Sequence, residues 1–461
     1  MTDADVLIVG GGFAGLVMGE LLAIAGIRCR IMEAGPALRA SRELRDAASR
    51  QQHPNPSRWE SRLLGVQDVA AELPDARTRI RAVGGRSLVW GGWCERFESD
   101  ALVDAKRVGA EWPVSIAELA PYYRTIERLL TVRTERGAPE TRRGLHARAP
   151  RIARDGERLR TALSLRRARQ RVTTEAVVRR VLFQDSRVCG VEYWDRAGRL
   201  ERARAPVVVL CASPEETIRI LLTEPPASIA DRAHLIGRGL VDHLLVSYVA
   251  VAPTPAKPSA AFIPRFVNTS RATKRDYVGG FSMEVHAAIA AAHLGANWCS
   301  MLGVDKQHAH EMSVYIVTAM GDAMPNRKRF VELHPSATDT LGRRVPVIHQ
   351  ATSENDRLMV ADMKQTALSV IDAMTPRGSI IVPFRDPRRH RALFHEAGGC
   401  RMGRDPKTSV TDPMGRVRGA AGLYVADASV FPTGGDRHPT LTLLALAART
   451  ADSIVRASKA A

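Results

Sequence analysis

The segment DVLIVGGGFAGLVMGELLAIAGIRCRIMEAG, Asp5 to Gly35, limits the folds open to this chain more than any other stretch. Val6-Leu7-Ile8-Val9 is a short aliphatic run, the pattern of a parallel strand buried on both faces. Gly10, Gly12 and Gly15 follow in G-x-G-x-x-G spacing. Phe13 to Ala25 predicts a helix with small residues toward the sheet, and Arg28 to Met32 predicts a second strand, ended by Glu33. Together these make a βαβ dinucleotide fingerprint. The glycines let the backbone approach a pyrophosphate, which sits at the positive end of the helix. Glu33 can accept hydrogen bonds from ribose hydroxyls and would repel a 2′-phosphate. A glycine turn packed only for structure would not bring the strand, the helix and the acidic residue along with it.

The fingerprint alone does not separate FAD from NAD. The chain lacks the C-x-x-x-x-C redox pair of disulfide-reductase flavoproteins, and it has no second complete G-x-G-x-x-G. The nearest candidate, IGRGLVDH, lacks the third glycine. One dinucleotide is therefore expected, at the N-terminal end.

At 461 residues and 45% hydrophobic content, the chain can form two or three domains, or one large α/β unit with an attached layer. Lys and Arg total 67 against 49 Asp and Glu, a net charge of +18. Thr141 to Arg171 is especially arginine-rich. No interleaved aromatics offer base stacking there, so the stretch reads as solvated surface and no nucleic-acid partner is expected. Cys29, Cys94, Cys189, Cys211, Cys299 and Cys400 stand apart, with no C-x-x-C or zinc spacing, and read as reduced thiols. His308-Ala309-His310 lacks further ligands in the sequence and reads as surface, so no metal is expected. The N-terminus enters a strand at once, and no apolar run is long enough to span a bilayer. The expectation is a cytoplasmic protein without a membrane span.

Further along, RAVGGRSLVWGGWCERF, Arg81 to Phe97, is rich in glycine and aromatics, and Gly84, Gly85, Gly91 and Gly92 allow close backbone approach to a flat ligand. A helix is predicted from about Ser115, with Glu118 at the capping-box position. Val172 to Tyr193 predicts paired strands turning near Asp185-Ser186, and Ala203 to Ala212 predicts a buried strand followed by a helix from Pro214. From about Leu244 to Arg389 the pattern changes to alternating strands, with a helix from about Glu354 to Met374. In GLYVADASVFPTGGDRHPTLTLLALAARTADSIV, a strand at Leu423 to Ala426, a turn at Gly434-Gly435 and a long helix opening at Pro439 return the chain to its first domain.

Four blocks, in order, resemble the glucose–methanol–choline (GMC) flavin oxidoreductases. They are VGGGFAG…MEAG, GGRSLVWGG, GRGLVDH (Gly237 to His243), and the pair HEAGGCRMG and VADASVFPTGGDRHPTLT. The segment Ser87 to Trp90 and WPVSIAELAPYY look more like the pyranose-oxidase and sugar-dehydrogenase branch. The resemblance implies an α/β fold: a Rossmann-like FAD-binding domain, with a second substrate domain on an antiparallel sheet covered by helices. It divides the chain into 1–243 and 390–461 for FAD and 244–389 for substrate. The cofactor, FAD, is expected at Gly10, Gly12, Phe13, Ala14, Gly15, Glu33 and Ala34. The second block adds Arg86, Ser87, Trp90, Gly91 and Gly92. Val177, Ala212, Asp427 and Ala428 follow, then His438, Pro439 and Thr440.

The resemblance makes His395 the catalytic base and His438 its partner, the two residues acting as catalytic pair. Cys400 is then a pocket-wall residue and not a nucleophile. A histidine near its ordinary pKa of about 6.5 can take a hydroxyl proton while a hydride passes to flavin N5. The N-terminus of the helix at Pro439-Thr440 can stabilise the resulting charge. Relatives in the sugar branch link flavin through a histidine where this chain has Val89, so the FAD is expected to be non-covalent. Gly399 stands where the family usually has threonine. The expected substrate is an alcohol, sugar or glycoside, with oxygen, a quinone or a protein as electron acceptor. Two other classes compete: an FAD-containing lyase that cleaves hydroxynitriles, and a flavin-free binding protein.

Overall fold

A computed structural model describes residues 2–37, 80–135, 147–156, 158–253, 258–264, 276–290, 307, 311–385 and 395–460. His308-Ala309-His310, Cys299 and the first residues of the arginine-rich stretch lie outside the described residues.

The N-terminal run forms the centre of a five-stranded parallel sheet, ordered Leu423–Val425, Val207–Leu210, Val6–Val9, Cys29–Met32, Val172–Thr173. Its strands read as continuous apolar runs because helices cover the faces. The helix Phe13–Ile24 and the C-terminal helix Thr440–Ala460 pack against each other and close one hydrophobic core with these strands. Gly15 has to be glycine: a Cβ there would sit 1.9 Å from the Gly10 carbonyl oxygen. The last helix starts at Thr440, with Pro439 just outside it as the acceptor for the Leu443 amide.

Two expectations on this half need correction. Ala203 to Ala212 is not one strand. Leu200–Arg204 pairs antiparallel with Arg187–Trp194, and Val207–Leu210 runs parallel to Val6–Val9. Pro206 separates them because it has no N–H to continue a ladder. Val172–Thr173 joins the parallel sheet, leaving Val177–Gln184 and Arg187–Trp194 as the hairpin around Asp185-Ser186.

A second sheet is antiparallel, ordered Ser259–Ile263, Phe281–Ala290, Ser313–Gly321, Leu244–Ala252, Ile380–Arg385. The helix Glu354–Met374 covers one face, started by a capping box of Ser353 and Asp356. Met359, Met363, Val370 and Ile371 pack there against Met283, Val285, Tyr315, Val317 and Val246. Strand alternation sends Ser282, Glu284 and His286 to the other face. Thr318 lies opposite Glu284, and Ser247 opposite Thr318, so this face carries a polar row.

A third sheet runs Arg344–His349, Phe330–Thr338, Arg238–Val241, Ala397–Gly399. Val241 pairs with Ala397 and Arg238 with Gly399. IGRGLVDH is thus a strand leading into His243, and this pairing sets His243 beside His395. Gly399 has φ of 94°, a left-handed backbone in which threonine would be strained, and a Cβ there would have to push Ile218 Cδ1 aside from 2.6 Å.

Candidate active site

The glycine-rich turn forms a cradle. Gly12 caps the helix Phe13–Ile24 with no side-chain cap bond, and a Cβ on Gly12 would meet nothing within 4 Å. That open space at a helix N-terminus is what a pyrophosphate needs. Gly10 has φ of 104° and lies so near Cys211 and Ala212 that a Cβ would be 2.3 Å from the Cys211 carbonyl oxygen. Buried Glu33 accepts from the Gly11 and Gly35 amides, each at 2.7 Å. Burial pushes its carboxyl up, while the two amides pull it down. Main-chain bonds from Ala176 to Glu33 and from Glu175 to Gly35 bring the start of the hairpin, at Val177, to this side of the cradle beside Ala34. Ala14 is buried, and Phe13 meets Trp90 edge-on at 4.8 Å.

The second block packs against the first. The Gly84 amide donates to the Gly11 carbonyl at 2.8 Å, and a Cβ on Gly85 would lie 3.1 Å from Gly12 Cα. Ser87 Oγ donates to the Gly84 carbonyl and accepts from the Ala162 amide, so this hydroxyl holds its own turn. Trp90 Nε1 donates to the Arg160 carbonyl at 2.8 Å. Gly92 packs on Leu159 with φ of 78°, and Gly91 is exposed. Arg86 reaches the buried carboxylate of Glu396 at 2.6 Å and Ser213 Oγ at 3.3 Å.

Asp427 is buried and accepts from Thr217 Oγ1, Ser429 Oγ and the Ser429 amide. Ala428 follows it in a short 3-10 turn. Cys400 is not on a pocket wall: its side chain is fully buried in the apolar core, and burial pushes its thiol up, so it stays protonated.

The two expected histidines meet. The rings of His395 and His438 are 5.0 Å apart and perpendicular. Each has a partner that sequence reasoning did not assign to the site. His395 Nδ1 lies 2.7 Å from His243 Nδ1, and His243 Nε2 is 3.0 Å from the Gly435 carbonyl. Asp242 accepts from the main-chain amides of both His243 and His395, at 2.7 and 3.1 Å. His438 Nε2 bonds Glu284, and Trp93 stacks on the His438 ring. Burial, and then the neighbouring His438, push His243 down to about 4. Burial and the nearby Glu396 hold Asp242 well above the usual carboxylate range. The signal for His243 was its place at the end of GRGLVDH; the signal for Glu284 was a carboxylate at the alternating polar positions Ser282, Glu284 and His286 of the strand Phe281–Ala290.

The fingerprint cradle and the histidine cluster sit on one α/β frame. Residues 325–447 match the GMC oxidoreductase family, and residues 3–42 match the FAD binding domain family. Relatives include a 2-methyl-1,2-propanediol dehydrogenase of Mycolicibacterium austroafricanum, 28% identical over 61% of this chain and 54% of its own. A 6'''-hydroxyparomomycin C oxidase of Streptomyces lividus is 25% identical over 98% of this chain and 91% of its own. A paromamine 6'-oxidase of Streptomyces fradiae is 26% identical over 81% and 78%. This chain thus spans about half the length of the first relative and most of the other two. Among solved structures, the Aspergillus oryzae formate oxidase has the same fold, with a TM-score of 0.71 at 15% identity over 99% of this chain and 98% of its own. Among the described residues, no helix is long and apolar enough to cross a membrane.

Proposed function

We propose that this protein oxidises a CH–OH group of an alcohol, sugar or glycoside, with non-covalent FAD held by the cradle of Gly10, Gly12, Gly15 and Glu33. The chemistry FAD supplies when bound is acceptance of a hydride. His395 takes the hydroxyl proton, and His438 orients the alcohol oxygen. The observation that carries this reading is the meeting of His395 and His438, with ring centroids 5.0 Å apart and a buried partner behind His395. Arg86, Trp90, Asp427, Pro439 and Thr440 belong to the walls of the same site in this reading, and 244–389 supplies the substrate side.

A polar substrate is favoured by the row Glu284, Thr318 and Ser247 on the sheet face turned from its covering helix. Relatives named for aminoglycoside oxidation support the same class. Val89, in place of a linking histidine, supports the non-covalent flavin.

The test is anaerobic bleaching of the bound flavin by a panel of sugars, aminosugars, glycosides, diols and aryl alcohols. Reoxidation by oxygen, then by a quinone, assigns the acceptor. Cleavage of a hydroxynitrile with no substrate bleaching the flavin would establish the lyase reading instead.

A further inference from the structure

We propose that His243 is a positioning residue that fixes His395 in one tautomer, with the proton on Nδ1 and the lone pair on Nε2. The inference rests on the reading of His395 as the base, and it names the atom that accepts the proton.

The argument follows a chain of donors and acceptors. A carbonyl oxygen only accepts, so the 3.0 Å contact between His243 Nε2 and the Gly435 carbonyl requires a proton on Nε2. The opposite tautomer would set two lone pairs against each other. Burial holds the His243 ring neutral near pH 7, at about 4, and the nearby His438 adds to this; Asp436 and the Gly434 and Gly435 carbonyls act the other way without overcoming it. A neutral ring with its proton on Nε2 has a bare Nδ1. The 2.7 Å contact between the two Nδ1 atoms needs one proton, and only His395 can supply it. His395 therefore carries Nδ1–H, and its lone pair is on Nε2.

Backbone geometry holds this pair in place. Asp242 accepts from the amides of both His243 and His395, so one carboxyl fixes both main chains. The Val241–Ala397 strand pair sets their register. The step served by this arrangement moves one proton: an alcohol O–H bond breaks and an N–H bond forms at His395 Nε2. The imidazolium formed keeps its Nδ1–H bond to His243, so the ring does not have to turn as it charges.

The experiment is ¹⁵N NMR of the holoenzyme labelled at histidine, with the His395 signals assigned by their loss in His395→Gln. The expected wild-type spectrum shows a protonated, pyrrole-type Nδ1 and a lone-pair, pyridine-type Nε2 for His395. In His243→Leu the acceptor is gone, and the His395 signals should move toward the average of the two tautomers. His243→Asn keeps an acceptor oxygen and should restore the wild-type pattern. Flavin reduction should follow the same order: about 10- to 100-fold slower in His243→Leu with little change in KM, and recovered in His243→Asn. A wild-type spectrum with the proton on His395 Nε2 overturns the proposal, and so does a His243→Leu spectrum unchanged at His395. Should His243→Leu fail to fold, the wild-type spectrum decides alone. Fast flavin reduction by His395→Ala would instead remove the base reading and leave the tautomer assignment to the spectrum.

Discussion

Glu33, the residue expected to meet a ribose, also accepts from two main-chain amides, at Gly11 and Gly35. The side chain is 7% exposed, so water does not readily replace it. Glu33→Ala leaves two buried donors without acceptors, each costing about 1–3 kcal/mol, for a total of about 2–6 kcal/mol. Glu33→Gln keeps one acceptor and turns an NH2 toward the other amide, so it should cost about 1–3 kcal/mol. The loop these bonds hold is the proposed flavin cradle, and a loss of even ~2 kcal/mol there should weaken FAD binding by more than tenfold. The assay pairs urea unfolding of each variant with the rate of flavin loss on dilution. The order should be wild type, then Gln, then Ala, in both measurements. A Glu33→Ala protein with wild-type midpoint and wild-type flavin retention would refute the reasoning.

Acid precipitation should leave the flavin colour in the supernatant, since Val89 offers no nitrogen for a covalent link; colour in the pellet would contradict this. Arg86→Ala removes the guanidinium from the fully buried Glu396 carboxylate and should destabilise the fold by about 3–5 kcal/mol, measured by denaturant unfolding. Adding Glu396→Gln should recover much of that loss. His243 titrates near 6.5 when unfolded and is held down to about 4 in the fold, so the unfolded chain takes up its proton first as pH falls. Its contribution to stability is complete above about pH 6.5 and is lost toward pH 4, a difference of about 3 kcal/mol. The gap in stability between wild type and His243→Asn should narrow by that amount over this range, and parallel curves would count against it.

The parts of this molecule that were legible in the sequence are those whose chemistry is local. The fingerprint spans one βαβ unit; Gly10 and Gly15 are explained by contacts inside that unit or with the strand beside it, and Gly12 by the open space at the helix N-terminus. The capping box at Ser115 formed where serine and Glu118 three positions on predicted it. His395 and His438 were singled out by the resemblance of their two blocks, HEAGGCRMG and VADASVFPTGGDRHPTLT, to those of the GMC family. What was not legible depends on strand pairing over long distances. His243 reaches His395 across 152 residues, and Glu284 reaches His438 across 154. No local spacing encodes either contact; the Arg238–Val241 and Phe281–Ala290 strands create them. Ser87 was expected to face the cofactor, yet its hydroxyl closes its own turn, a choice decided by the nearby Ala162 amide. Cys400 went from wall to core for a similar reason: its amide pairs with the Ser429 carbonyl and draws the residue behind the site.

The central claim is that His395 takes the proton and His438 orients the oxygen. Anaerobic stopped-flow measurement of flavin reduction tests it most directly, with each variant saturated by one substrate. His395→Ala should slow reduction by about 10²–10⁴, the range for losing a general base. His438→Asn should cost much less, because asparagine still offers a hydrogen bond to the substrate. Fast reduction by His395→Ala, together with a crippled His438→Asn, would reverse the two roles and contradict this account.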